Sequence, residues 1–266
     1  MKNLDKFVFE RLSEKEKNNR LDELKKQLEG LGYEDYVDKL NEMLKDPKSK
    51  ALIEAAFGGE LASVKLDKDS KPVVTSKLLP TQNEIDVDKS LRRGLTEEAT
   101  VDAFFGKEPV TLGIPLLTYE GAFIIDGHHR WSQQACFNPK AKMAVVNYSG
   151  ELSPVQMLKA VQGSIAADTG NVEVERVHGM NLLKTPIRKI KKYIEDNITD
   201  AIVEKIIGYV DGLEDKDDVV DFICENVKKL QANNPPVEGA SKRDYMPQTG
   251  KDPQIHNTLT NTTKIE

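Results

Sequence analysis

Apolar residues return at helical spacing near the start of the chain, with Leu21, Leu24, Leu28 and Leu31 followed by Tyr36, Leu40, Met43 and Leu44 in an otherwise charged segment. This spacing predicts two or three amphipathic helices within residues 1–56, broken at Gly30-Leu31-Gly32 and at Pro47. The pattern then shortens. Val64-Lys65-Leu66 and Val73-Val74 flank the polar run from Asp67 to Pro72 and predict a short hairpin. Lys77-Leu78-Leu79 leads to Pro80, and a helix is expected from Asp86 or Asp88 through Leu91. Ile114 to Tyr119 and Phe123 to Ile125 enclose Glu120-Gly121, which predicts two strands joined by a tight turn. Trp131 to Cys136 continues as a helix, and the apolar run Met143 to Tyr148 returns as a strand.

Beyond residue 150 the period becomes helical again. Ser153-Pro154 places a capping side chain and then a proline at the first helical position, and Thr185-Pro186 repeats the device ahead of Ile187, Ile190, Tyr193 and Ile194. Further helices are expected from Asp200 through Val210 and from Asp215 through Leu230. After Asn233-Asn234-Pro235-Pro236 the chain is polar and without periodicity, the composition of a segment that stays disordered or is ordered by a partner. The expected division is thus a helical extension over 1–56, a compact α/β (α+β) unit over 57–150, a helical domain over 151–232 and a tail over 233–266.

Composition narrows the class. A 266-residue chain with 38% hydrophobic residues can bury a core, and a formal net charge of -6 argues against a protein that coats nucleic acid. Asp211, Glu214, Asp215, Asp217, Asp218 and Asp221 make the last helical region acidic, so DNA binding is expected to be weak or absent. Cys136 and Cys224 lie far apart among apolar residues and read as buried thiols. The first residues carry no apolar signal core, and no run approaches the roughly 20 apolar residues of a membrane span. A cytoplasmic protein is expected. No phosphate loop of the Gly-x4-Gly-Lys type, no Gly-x-Gly-x-x-Gly and no cysteine pair at zinc spacing occurs.

The chemistry concentrates in Asp126-Gly127-His128-His129-Arg130, which follows the apolar run Ala122 to Ile125 and opens a helix. A strand that turns through glycine into a helix offers backbone N–H groups and a cation to an anion. The adjacent histidines point in different directions on any regular element, so they make a poor metal clip.

The motif resembles the Gly-x-x-Arg phosphate signature of the ParB/sulfiredoxin superfamily, with Gly127 and Arg130 at the shared positions and Trp131 and Ala135 in the next turn. Leu79-Pro80-Thr81-Gln82-Asn83-Glu84, ahead of a helix, resembles the first box of ParB proteins, with Glu84 where the partition proteins carry arginine. The likeness spans residues 62–150 and implies a ParB/sulfiredoxin-like small mixed sheet with helices, bearing helical N-terminal and C-terminal extensions. Without a cysteine at position 128 the sulfiredoxin reaction lacks its nucleophile. Glu84 together with Asp126 is more similar to the ParB-like free serine kinases, in which two such acids are essential.

That branch implies a nucleotide (ATP, ADP or CTP) with Mg²⁺ and transfer of a phosphoryl group to a small hydroxyl substrate, or hydrolysis of the nucleotide. Glu84, Asp126, His128 and His129 are the catalytic candidates; Gln82, Gly127, His129 and Arg130 are the phosphate-binding ones; Asp126 could also hold the metal. Each has a plainer account: Gly127 as a turn, Arg130 as a surface partner of Glu120, Glu84 as a helix-start acid, Gln82 as a cap and Trp131 as core. Arg92 and Arg93 either add charge near the phosphates or belong to a solvated face. The alternative class is a non-enzymatic ParB-like assembly or DNA-associated protein of a phage or other mobile element, in host cytoplasm or virion. Its helical extensions and tail would then meet a protein partner.

Overall fold

The structure is a computed structural model that describes residues 12–172, 174 and 179–247. Ten helices and two sheets occur among the described residues, an α+β chain. Residues 248–266 of the expected tail, together with His178 and His256, lie outside the described residues.

The first three helices are α1 (Glu14–Leu28), α2 (Tyr33–Met43) and α3 (Pro47–Ala62). They break where glycine and proline predict. Ser13 and Glu16 form a reciprocal capping box at α1, and Asp46 caps α3 by accepting from Lys48 N–H. Then come β1 (Lys65–Leu66), β2 (Val73–Val74), β3 (Leu79–Pro80), α4 (Val87–Thr96) and α5 (Glu98–Phe105). The chain continues through β4 (Leu116–Tyr119), β5 (Phe123–Asp126), α6 (His128–Phe137), β6 (Lys142–Met143) and β7 (Val145–Ser149). It closes with α7 (Pro154–Thr169), α8 (Ile187–Asn197), α9 (Asp200–Tyr209) and α10 (Lys216–Asn233).

The chain forms two compact units from interleaved stretches. One takes the described residues of Met1–Leu66, Ser149–Arg176 and Glu238–Glu266, and the other those of Asp67–Tyr148 and Val177–Val237. Residues 151–232 are therefore shared: α7 folds with α1–α3, and α8–α10 with the sheet. In the first unit α7 packs against α3 with Gly163 beneath the Phe57 ring, and Tyr36 donates its hydroxyl to Lys159 O at 2.6 Å. The second unit buries one continuous core, from Leu78, Leu91, Phe104, Ile124, Trp131 and Phe137 to Ile190, Ile202, Ile223 and Val227.

The strands of this second unit run in the order β7-β4-β5-β3, with β4–β5 antiparallel and both β4–β7 and β3–β5 parallel. The β4–β5 turn is tight, as predicted: Tyr119 pairs with Phe123 across a three-residue connection in which Glu120 and Gly121 have left-handed φ of 52° and 70°. The predicted hairpin across Asp67–Pro72 does not form. Ser70 donates to Asp67 O and Asp69 N–H bonds to Asp67 Oδ1, a local turn that turns the strand away, and β2 pairs with β6, with Val73 opposite Met143. Two helix starts also differ from expectation. Helix α5 is additional, and Pro186 sits at the N-cap of α8, so Thr185 does not cap it. Cys136 and Cys224 are free and buried, as expected; burial pushes the Cys224 thiol up to about 11. No helix among the described residues is long and apolar enough to cross a membrane.

Candidate functional site

The neighbouring strands β3 and β5 run parallel, Leu79 opposite Phe123 and Pro80 opposite Ile124, so both chains leave the sheet at the same end. From β3 the chain passes through Thr81 to Asp86 into α4; from β5 it turns at Gly127 into α6. Two segments about forty residues apart in sequence thereby become neighbours. Carboxyl ends of parallel strands followed by helix starts are where α/β sheets bind ligands.

Gly127 has φ 99° and ψ 22°, and a Cβ there would stand 2.5 Å from Leu116 Cδ2 and 2.7 Å from Arg130 Nη2. A side chain is excluded twice, by backbone conformation and by space. Trp131 N–H closes the first helical bond on Gly127 O at 2.9 Å, so the amides of His128, His129 and Arg130 precede the ladder. No side chain caps them, whereas Asp86 caps α4 by accepting from Lys89 N–H at 2.8 Å.

Arg130 reaches back to Asp126, Nη2 to Oδ2 at 2.8 Å, with both side chains largely buried. Its Nε is buried with no hydrogen-bond partner among the described residues. A buried guanidinium N–H without an acceptor costs on the order of 1–3 kcal/mol, which a bound oxyanion would recover. Arg130's partner is thus Asp126, four residues away on the same strand-to-helix turn, and not the Glu120 of the plainer account.

His128 is 4% exposed, and its Nε2 accepts from Thr81 N–H at 3.2 Å. Burial, then the charges of His129 and Arg130, hold its imidazole down at about 3, partly opposed by a bond to the Ile124 backbone; it is neutral at ordinary pH. His129 Nε2 accepts from Asp86 N–H at 3.3 Å. Both rings thus fasten the Thr81–Asp86 loop to α6, and Thr81 Oγ1 donates to Ile124 O at 2.6 Å from the other side. Deeper in, Ser90 Oγ lies 2.8 Å from Ser132 Oγ and donates to Asp86 O. Asn181 completes the hold: its Oδ1 accepts from Ile85 N–H at 3.2 Å and its Nδ2 donates to Asn83 O at 2.9 Å.

Glu84 lies on that loop, half-buried, and its carboxylate makes no hydrogen bond or ion pair among the described residues. Gln82 is buried, and its amide donates to Glu84 O, which shapes the loop from within. Arg92 and Arg93 are exposed on α4 and pair with Asp88 at 3.8 Å and Glu97 at 2.9 Å, the solvated-face arrangement. Trp131 is fully buried and donates to Thr75 O, a core residue. Thr81 lay in the first box without an assigned role, and Asp86, Ser90, Ser132 and Asn181 carried no motif; only the fold brings them to the site.

No group of three or more His, Cys, Asp or Glu side chains able to hold a metal occurs among the described residues. A magnesium ion fits here only as a companion of phosphates, with a single acid such as Asp126 beside it. No family model, curated protein or solved structure matches the chain.

Proposed function

We propose that this protein binds the phosphates of a nucleotide at the start of α6, in a ParB-like manner, and transfers a phosphoryl group to a small hydroxyl substrate through Glu84. The observation that carries the reading is the meeting of Glu84's loop with the Gly127–Arg130 turn, where uncapped amides lie beside a buried, unpartnered Arg130 Nε. Arg130 is already half-neutralised by Asp126, so the turn by itself has little net charge to hold a polyphosphate. Mg²⁺ held beside Asp126 would supply the missing positive charge.

In the proposed reaction Gly127 lets the backbone approach the phosphate, the α6 amides and Arg130 hold its oxygens, and Asp126 orients Arg130. Glu84 accepts the proton of the substrate hydroxyl as its oxygen attacks phosphorus. The bond from phosphorus to the bridging oxygen breaks, and that electron pair leaves with the nucleotide. His128 and His129, whose Nε2 atoms accept backbone N–H groups, keep the loop in register.

Equilibrium binding of ATP, ADP and CTP with Mg²⁺ tests the site. Arg130→Ala should weaken binding by roughly tenfold to a hundredfold, the worth of a lost charge-assisted hydrogen bond. Glu84→Gln should keep binding and lose phosphoryl transfer. Failure of the wild-type chain to bind any of the three nucleotides would overturn the reading. Asp126's engagement with Arg130 leaves Glu84 as the one open acid on these two segments, and this favours a second reading, a module that holds nucleotide without turning it over. Binding without turnover in the wild type would select it.

A further inference from the structure

At the other end of α6, a cleft of about 670 Å³ opens among the last turn of that helix, α5, α9 and α10. It falls in the volume range of small-molecule sites, roughly 300–1,000 Å³. One wall is aromatic: the rings of Phe105 and Tyr209 stack, 5.2 Å apart and within 8° of parallel. Tyr209 is 45% exposed, yet its hydroxyl is fixed by donating to Asp102 Oδ1 at 2.6 Å. Phe222 also lines the cleft.

The charged lining is Lys140 and Lys229 against the single carboxylate of Asp211. Lys140 has no ion pair among the described residues, and Lys229 stands 3.9 Å from Glu225 Oε1, at the edge of pairing. A helix C-terminus ordinarily attracts a cation. Here Asn226 Nδ2 already satisfies the last α6 carbonyls, bonding Cys136 O at 3.1 Å and Phe137 O at 3.2 Å. The charge the lining offers a ligand is the two lysines against Asp211, one positive charge in excess.

We infer that this cleft binds a planar aromatic molecule carrying one negative charge, its ring against the Phe105–Tyr209 wall and its anionic group at Lys140 and Lys229. One excess charge and no open helix N-terminus suit a carboxylate or sulfonate rather than a polyphosphate. The site is separate from the α6 N-terminus and does not depend on nucleotide binding there.

The test uses the full chain with 8-anilinonaphthalene-1-sulfonate as fluorescent probe, 2-naphthoate as competitor and the neutral 2-naphthalenemethanol as control. Saturable probe binding, displaced by naphthoate and at least several-fold less well by the neutral alcohol, is expected. Lys140→Glu, an exposed change that spares the core, should weaken binding by roughly fivefold to tenfold, and Tyr209→Ala should weaken it similarly, with unchanged far-ultraviolet circular dichroism. Arg130→Ala should leave it unaltered. Non-saturable binding, equal displacement by the alcohol, or affinity untouched by both cleft variants overturns the inference; so does a loss caused by Arg130→Ala alone.

Discussion

His128, at the start of α6, is 4% exposed and tied through its ring to the Thr81 amide. Beside Arg130 in a motif rich in polar groups, it reads as a chemical participant, but its ring is buried and its Nε2 already accepts the Thr81 amide. Nothing local in the sequence marks this, because the acceptor's partner is 47 residues away. Gly127 and Arg130 were legible, since a positive φ and a cation at a helix start are local requirements. The buried neutral imidazole has a consequence for pH. Its folded value is lowered from 6.5 to about 3, so between these limits the unfolded chain binds a proton that the folded chain refuses. Stability is complete above 6.5 and falls on acidification by up to about 1.4 kcal/mol per pH unit. Urea midpoints measured from pH 7 to pH 5 should show this slope, and His128→Gln, which keeps an acceptor without a titrating ring, should flatten it. Equal slopes in the two proteins would show that the ring is not buried neutral.

Among the elements, helix positions were mostly legible because caps and apolar spacing are local, whereas helix approach was not. Gly94 in α4 and Gly163 in α7 look like weak points in helices, since glycine costs up to about 1 kcal/mol against alanine there. In the fold they are contact points: a Cβ at Gly94 would enter the Phe137 ring, and one at Gly163 the Phe57 ring. Gly58 and Gly59 in α3 have nothing within 4 Å of such a Cβ. The same substitution should therefore have opposite signs. Gly58→Ala and Gly59→Ala should each stabilise by about 0.5–1 kcal/mol, while Gly94→Ala and Gly163→Ala should destabilise by about 1–3 kcal/mol through overpacking. Denaturant titrations of the four variants decide this; stabilisation by Gly94→Ala would mean that α4 and α6 are farther apart than described. The α4–α6 contact matters for the site, because Ser90 and Ser132 meet across it and set the two helix starts side by side.

At the scale of the whole molecule, the pairing of chain segments is the property that periodicity cannot supply. Helix α7 buries residues on most of its circumference, from Met157 to Ala167, so its sequence says that it is surrounded without saying by what. It packs with the N-terminal helices, and the sheet that bears the candidate site is completed instead by α8–α10, more than a hundred residues after β3. Asn234 ties this return to the site's own strand, its amide donating to Ser76 O at 3.0 Å and Leu78 O at 2.8 Å. The stretch 67–148, which holds both motifs of the resemblance, should consequently not fold alone. Without the later helices it loses Ile190, Ile194, Ile202, Ile206 and Ile223, all fully buried against its core. Each such side chain is worth about 1.5–3 kcal/mol on burial, so the five together, about 7.5–15 kcal/mol, are comparable with the roughly 5–15 kcal/mol by which a domain is stable. Expressed alone, residues 67–148 should give poorly dispersed amide resonances and no cooperative thermal transition, while the full chain gives both dispersion and a transition. A cooperative melt of the fragment would show that the sheet and its three helices carry their own core and that α8–α10 are an accessory to it.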